Sequence, residues 1–161
     1  MKYVLFATVA ALLLLTGCSQ KSPLKESESQ INNVNIKVVY SSPFAKGRKI
    51  MGGLVPYDQV WRTGANEATS IEFDKDVKLG GNDLAAGKYS LFTVPGEKEW
   101  EIIINKQTGM SGTEYDQASD VFRFKVPSKK IEDFVESFTI TVEGEGVALE
   151  WENTAVKFKV E

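Results

Sequence analysis

The chain has 161 residues, with 19 Lys and Arg against 22 Asp and Glu, one cysteine and no histidine. Without histidine there is no Ser-His or Cys-His nucleophile, no imidazole base and no His-ligated zinc or iron. A slight acidic excess with no basic cluster argues against nucleic acid as a partner and against charge-driven binding to anionic lipid.

The N-terminus opens with Lys2 and an apolar run, Val4 to Leu15. That run is too short for a membrane-spanning helix and suits the core of a signal peptide over residues 1–17. It ends in Leu15-Thr16-Gly17-Cys18, the pattern of a bacterial lipobox. There the cysteine thiol takes a diacylglyceryl group, and cleavage leaves the acylated Cys18 as the mature N-terminus. Two or three acyl chains, at about 0.8 kcal/mol per buried methylene, anchor a protein stably where one is marginal. Ser19 follows the cysteine, with no Asp as a retention signal, which points to the outer membrane. The only cysteine is then consumed, so stability rests on a core and not on a disulfide. About 130 residues are enough to build one. Residues 18–33, rich in Ser, Lys, Glu and Gln after the cysteine, read as a flexible tether.

From residue 34 to 161 the apolar period is two. Ile36, Val38 and Tyr40 alternate with polar neighbours, as do Ile71 and Phe73, then Trp100, Ile102 and Ile104. Ile103 breaks the last alternation and must cover something on the opposite face. Further runs are Phe122–Val126, Phe138–Val142, Val147–Trp151 and Val156–Val160. Phe134 is in phase with Phe138, so residues 129–135 read as the approach to a strand. Turn signals at Gly80-Gly81-Asn82-Asp83, Pro95-Gly96 and Gly144-Glu145-Gly146 separate the runs. With Val77–Leu79 and Tyr89–Val94 added, about nine strands are expected. The class is all-β: one antiparallel β-sandwich with jelly-roll-like connections.

Two segments, 41–68 and 107–120, are too long for simple turns and hold most of the unassigned polar chemistry. The first contains Trp61-Arg62-Thr63-Gly64-Ala65-Asn66-Glu67. Arg62 and Glu67 are near enough in sequence to pair across a turn shaped by Gly64 and Asn66, with Trp61 or Tyr57 stacked on the guanidinium. The preferred reading is structural: such a network satisfies the polar groups of a long loop. The functional reading has Arg62, Asn66 and Glu67 lining a pocket, with Arg48 as a second cation for an anionic group. Trp61, Tyr57 and Tyr115 are then the aromatics free to stack on a sugar or peptide.

A pair of acids drawn from Asp58, Glu67, Glu114 and Asp116 would suit glycoside hydrolysis, but among 22 acids some pair is always available and the signal is not specific. Asp74, Asp76, Asn82 and Asp83 read as solvated turn residues and not as a calcium loop. No metal and no cofactor are expected.

The run "SPFAKGRKIMGGLVPYDQVWRTGANEAT", with "LAAGKYSLFTVPG" and "WEIIINK", closely resembles a family of secreted proteins of Gram-negative bacteria, domain of unknown function 2911. The likeness covers about residues 34–161, and Trp61–Thr69 is its most distinctive part. It implies a β-rich extracytoplasmic domain of no established activity. The leading expectation is a lipid-anchored, non-enzymatic envelope module that binds a small molecule, a glycan or another envelope protein where the two long loops meet. The alternative is a carboxylate-based hydrolase at that place, with Glu67 as acid or base and Arg62 stabilising negative charge.

Overall fold

The computed structural model describes residues 22–161. The expected signal peptide, residues 1–17, and Cys18 lie outside the described residues. Nine strands follow in chain order: β1 (Leu24–Ile31), β2 (Val34–Ser41), β3 (Thr69–Phe73), β4 (Val77–Leu79), β5 (Asn82–Leu84), β6 (Gly87–Val94), β7 (Glu99–Asn105), β8 (Asp120–Glu143) and β9 (Gly146–Lys159). Seven of them form one antiparallel sheet in the order β1-β2-β3-β6-β7-β8-β9, and β4 and β5 make a separate hairpin. The connections are therefore those of a meander with one inserted hairpin, and not the crossovers of a jelly roll.

β8 makes the sheet double-layered. Its first part pairs with β7, from Glu99 opposite Pro127 to Asn105 opposite Asp120. From Ser128 onward it pairs with β9, with register shifts between Lys130 and Val135 and between Val135 and Thr139. Bulges bend a strand and sharpen its twist. The second half of β8 thus swings across the concave face toward β1 and β2. There Phe138 N donates to Pro43 O at 2.8 Å, Ser42 Oγ to Phe138 O at 2.6 Å, and Val142 N to Ser27 Oγ at 2.9 Å. At the far edge the chain end pairs with β4, through reciprocal bonds between Lys78 and Glu161 of 2.7 and 3.1 Å.

The inward-facing residues of the alternating runs are buried between the layers, among them Ile36, Val38, Ile71, Phe73, Trp100, Ile102, Phe138, Leu149, Trp151 and Phe158. Two sequence expectations differ in detail. The runs 122–126 and 138–142 are one strand, β8, and 147–151 and 156–159 are likewise one, β9, with Val160 just past its end. The count of nine is reached because β1 and β5 were not foreseen.

β1 lies where a flexible tether was expected. Residues 24–31 are polar because β1 is the edge of the sheet, where charged side chains are common. It is held by its ladder to β2, by the ion pair of Glu26 with Lys37 at 2.7 Å, and by Ser27 under β8. Asn32 and Asn33, at φ +51° and +64°, form the two-residue turn into β2. Positive φ at both central positions is the type I′ geometry that matches strand twist, and asparagine tolerates it.

Candidate functional site

The stretch Val60–Thr69 is built onto the open side of β6. Trp61 N donates to Thr93 O at 2.7 Å and Thr93 N to Trp61 O at 3.0 Å, so Trp61 takes the place beside β6 that β3 leaves vacant past Thr69. Its ring turns into the core, stacked on Trp151 with centroids 5.9 Å apart and edge-on to Phe138 at 5.0 Å and Trp100 at 6.1 Å. Trp61 is therefore a half-buried core aromatic, its ring packed against three others.

Beyond Trp61, three buried threonines hold the turn. Thr69 Oγ1 donates to Thr63 O at 2.7 Å, and the Thr63 and Thr93 hydroxyls lie 3.2 Å apart. Gly64, at φ +152°, presses on β2: a Cβ there would sit 2.8 Å from Ser41 O. Ala65 N donates to Ser41 O at 3.2 Å and Asn66 Nδ2 to Ser41 Oγ at 3.3 Å. Only glycine satisfies both the φ and the contact at position 64.

The two long loops meet here, as expected, but they zip together. Gly112 N donates to Asn66 O at 3.0 Å, Ala68 N to Met110 O at 3.3 Å, and Glu67 bridges Ser111. The stem of Arg62 lies on Gly112, where a Cβ would come within 2.2 Å of Arg62 Cδ. Glu67 and Asn66 are exposed and Arg62 is half-buried. Among the described residues neither Arg62 nor Glu67 forms an ion pair, so the expected Arg62–Glu67 bridge is corrected. Thr63 and Asn66, at φ +57° and +60°, turn the chain between the two charges, and Gly112 receives the Arg62 stem. The turn is held by threonines and a glycine, and not by the two charges. Arg48 is also spent locally: its guanidinium donates to Phe44 O at 2.6 Å and Ala45 O at 3.0 Å, closing its own loop.

Tyr57 is the candidate that lines an open cleft. The cleft, of about 480 Å³, lies between the first long loop and the bulged part of β8 and β9, with Lys49, Lys129, Lys130, Glu97, Glu152 and Asn153 also on its walls. Burial, with Glu97 and Glu152 adding to it, raises the Tyr57 phenol above its ordinary pKa, so it faces the cleft as a neutral hydroxyl. Glu152 shapes the floor. It sits at a register shift with φ +52°, and its carboxylate accepts from Ile50 N at 2.9 Å and Met51 N at 3.1 Å. Positive φ at a residue other than glycine is uncommon and costly, and here the carboxylate satisfies two loop donors. Asn153 Nδ2 donates to the carbonyls of Ile131 and Glu132, both at 3.2 Å, which fixes the bulge.

The second long loop covers the outer face of β6 and β7 and answers for Ile103. Ile103 and Phe92 are fully buried beneath it, with Tyr115 edge-on to Phe92 at 4.9 Å. The Tyr115 hydroxyl donates to Asp120 Oδ2 at 2.7 Å and meets a guanidinium nitrogen of Arg123, which also bonds Asp120 at 2.8 Å and Glu101 at 2.9 Å. Burial and the Asp120 carboxylate push the Tyr115 phenol up to about 12. Tyr115 is thus a bonded part of the structure and not a free aromatic.

The acids near the β4–β5 hairpin are occupied too. Asp74 accepts from Asn35 at 2.8 and 2.6 Å, Asp76 from Ala86 N at 2.8 Å, and Asp83 pairs with Lys78 at 3.1 Å. Lys129, Lys130, Glu152 and Asn153 were not singled out from the sequence. The available signal was the break in alternation at Glu152-Asn153, which marks the bulge.

Residues 22–160 match the family model described as "Protein of unknown function (DUF2911)". No curated protein and no solved structure matches the chain.

Proposed function

The chain belongs to the DUF2911 family, whose description names no activity, and from that premise we propose a lipid-anchored binding module of the cell envelope, held in the outer membrane through Cys18. Its ligand occupies the Tyr57 cleft and carries an anionic group. The observation behind this reading is the difference between the candidates. Trp61, Arg62, Asn66 and Arg48 are built into the loop, whereas Tyr57 stands in a cleft with Lys49, Lys129 and Lys130 around it, against Glu97 and a Glu152 whose carboxylate is taken by the Ile50 and Met51 N–H groups. A concave site with one aromatic wall and a few convergent polar groups is the usual form of a small-molecule site.

The hydrolase alternative draws nothing from the geometry. Glu67 is exposed and zipped to Ser111, away from any pairing with Arg62.

Two measurements test the proposal. Mass spectrometry of the mature protein reads a diacylglyceryl-modified N-terminus at Cys18, and Cys18→Ala removes it; an unmodified soluble mature form refutes the anchor. A thermal-shift screen of small anionic and sugar ligands is then repeated on the double variant Lys129→Glu, Lys130→Glu. Both side chains are exposed, so the melt stays within a degree or two while binding is lost. Hits that bind this variant as well as wild type place the site elsewhere.

A further inference from the structure

The two poles of the molecule differ in a way that bears on the anchor. At one pole, Asn32 Nδ2 donates to Val160 O at 3.2 Å and Val160 N to Glu145 O at 2.9 Å, which gathers the β1–β2 and β8–β9 turns. At the other pole β1 begins. Pro23 O accepts from Ser42 N at 2.8 Å, Lys25 Nζ reaches Ser137 Oγ at 3.4 Å, and Ala45 N donates to Glu136 O at 2.8 Å. The start of β1 and the bulge of β8 that ends at Val135 therefore share one end of the domain. An eight-residue strand separates the poles by about 25 Å.

Among the described residues the two most exposed large apolar side chains both sit at the β1-start pole: Leu24 at 70% and Phe134 at 54%. Phe134 is exposed because the register shift between Lys130 and Val135 loops the residues before Val135 out of the ladder. The covalent distance to the anchor is short. Five residues separate Cys18 from Leu24, and the six steps between them span at most about 22 Å when fully extended. With the tether reading replaced by a strand, the domain has little room to stand off from the bilayer. Glu132, Asp133 and Glu136 flank Phe134, while Lys25, Lys129 and Lys130 lie around the same end, so net charge does not direct the contact.

We propose that this pole lies against the bilayer, with the Phe134 ring entering the boundary between headgroups and acyl chains as a second, non-covalent contact beside the lipid anchor. The proposal rests on the anchoring reading and adds an orientation to it. An aromatic ring with polar neighbours suits that boundary, where the apolar body is buried and the flanking charges stay wet. The Tyr57 cleft, bounded by the same bulge, then opens close to the membrane surface.

The test uses the mature lipoprotein. Acylation consumes Cys18, so Phe134→Cys supplies a single free thiol for an environment-sensitive fluorophore, and Glu145→Cys supplies the same at the opposite pole. Both positions are exposed, so folding is retained and is checked by the thermal melt. In vesicles of phosphatidylethanolamine and phosphatidylglycerol, the label at 134 is expected to shift to the blue. Lipids carrying a nitroxide high on the acyl chain are expected to quench it several-fold more than the label at 145. Lipidated, vesicle-bound protein whose two labels respond alike overturns the orientation and leaves the anchor standing. A label at 134 that is shielded yet not quenched by lipid nitroxide also overturns it, in favour of a protein covering Phe134. An unlipidated N-terminus by mass fails the anchoring reading separately. The same labels are then read with vesicles added to that soluble form, where no response at 134 rejects the membrane contact as well.

Discussion

Trp61 lies flat on Trp151, with their planes 17° apart and their centroids 5.9 Å apart. One ring comes from the first long loop and the other from β9, so the most distinctive segment of the sequence is fastened to the second layer through the core. Trp61→Ala removes this contact and the edge contacts to Phe138 and Trp100. The expected cost is about 3 kcal/mol, at the low end for a large aromatic because Trp61 is only half-buried. A denaturant melt checks it: the midpoint should fall with little change in slope. A loss below about 1 kcal/mol would mean the loop is not pinned by this ring.

Arg62→Ala and Glu67→Ala are expected to cost less than about 1 kcal/mol each, and the double variant should equal their sum. A buried charge pair would give singles of roughly 3 to 5 kcal/mol with strong coupling, but these two groups do not pair. Thr69→Val is expected to cost more than either, about 1 to 3 kcal/mol, because it leaves the buried Thr63 carbonyl without its donor. The ranking, read in one set of thermal melts, is the result that matters.

Glu152→Ala strands the backbone N–H groups of Ile50 and Met51. An unmade bond to a charged acceptor costs about 2 kcal/mol. Glu152→Gln keeps one acceptor and should recover part of that loss. Amide hydrogen exchange gives a sharper readout: protection at 50 and 51 should fall selectively in Glu152→Ala, while β2 and β3 keep theirs.

Alkaline pH should expose Tyr115. Its phenol ionises at about 12 in the folded protein, against an ordinary value of 10.0. The neutral form is favoured by folding, so its contribution is complete below pH 10. It declines as pH rises through the interval up to about 12, where the unfolded phenol ionises first. A wild-type minus Tyr115→Phe difference titration of phenolate absorbance should therefore show one tyrosine ionising near the top of that range. A difference curve centred at 10 would mean the loop over β6 and β7 opens in solution.

The strands were legible because most apolar residues on them face one core, and period two survives any connectivity. The connectivity was not legible, since a meander and a jelly roll ask the same alternation of each strand. β1 escaped notice because an edge strand draws its hold from backbone ladders and from Ser27, neither of which leaves an apolar signature. At the loop, Arg62 and Glu67 are the conspicuous residues of the sequence because they are charged. Charged groups on loops mostly face water, and Thr63, Thr69 and Gly112 hold the turn with unremarkable side chains. The Tyr57 cleft draws Lys49, Lys129 and Asn153 from segments far apart in sequence, so no spacing rule reveals it.

β8 ladders with β7 up to Pro127 and with β9 from Ser128 onward. Neither layer keeps its strand order without the other, so the domain has no seam along which one layer can peel away. Local opening is left to the loops and the bulge, and loss of the core must proceed as a single cooperative event. The pairing of Leu24 with Ser41 also sets the first residues of β1 in the same sheet. A force applied to the chain at Leu24 along the strand axis would therefore load the ladder between β1 and β2 in shear, across many hydrogen bonds at once.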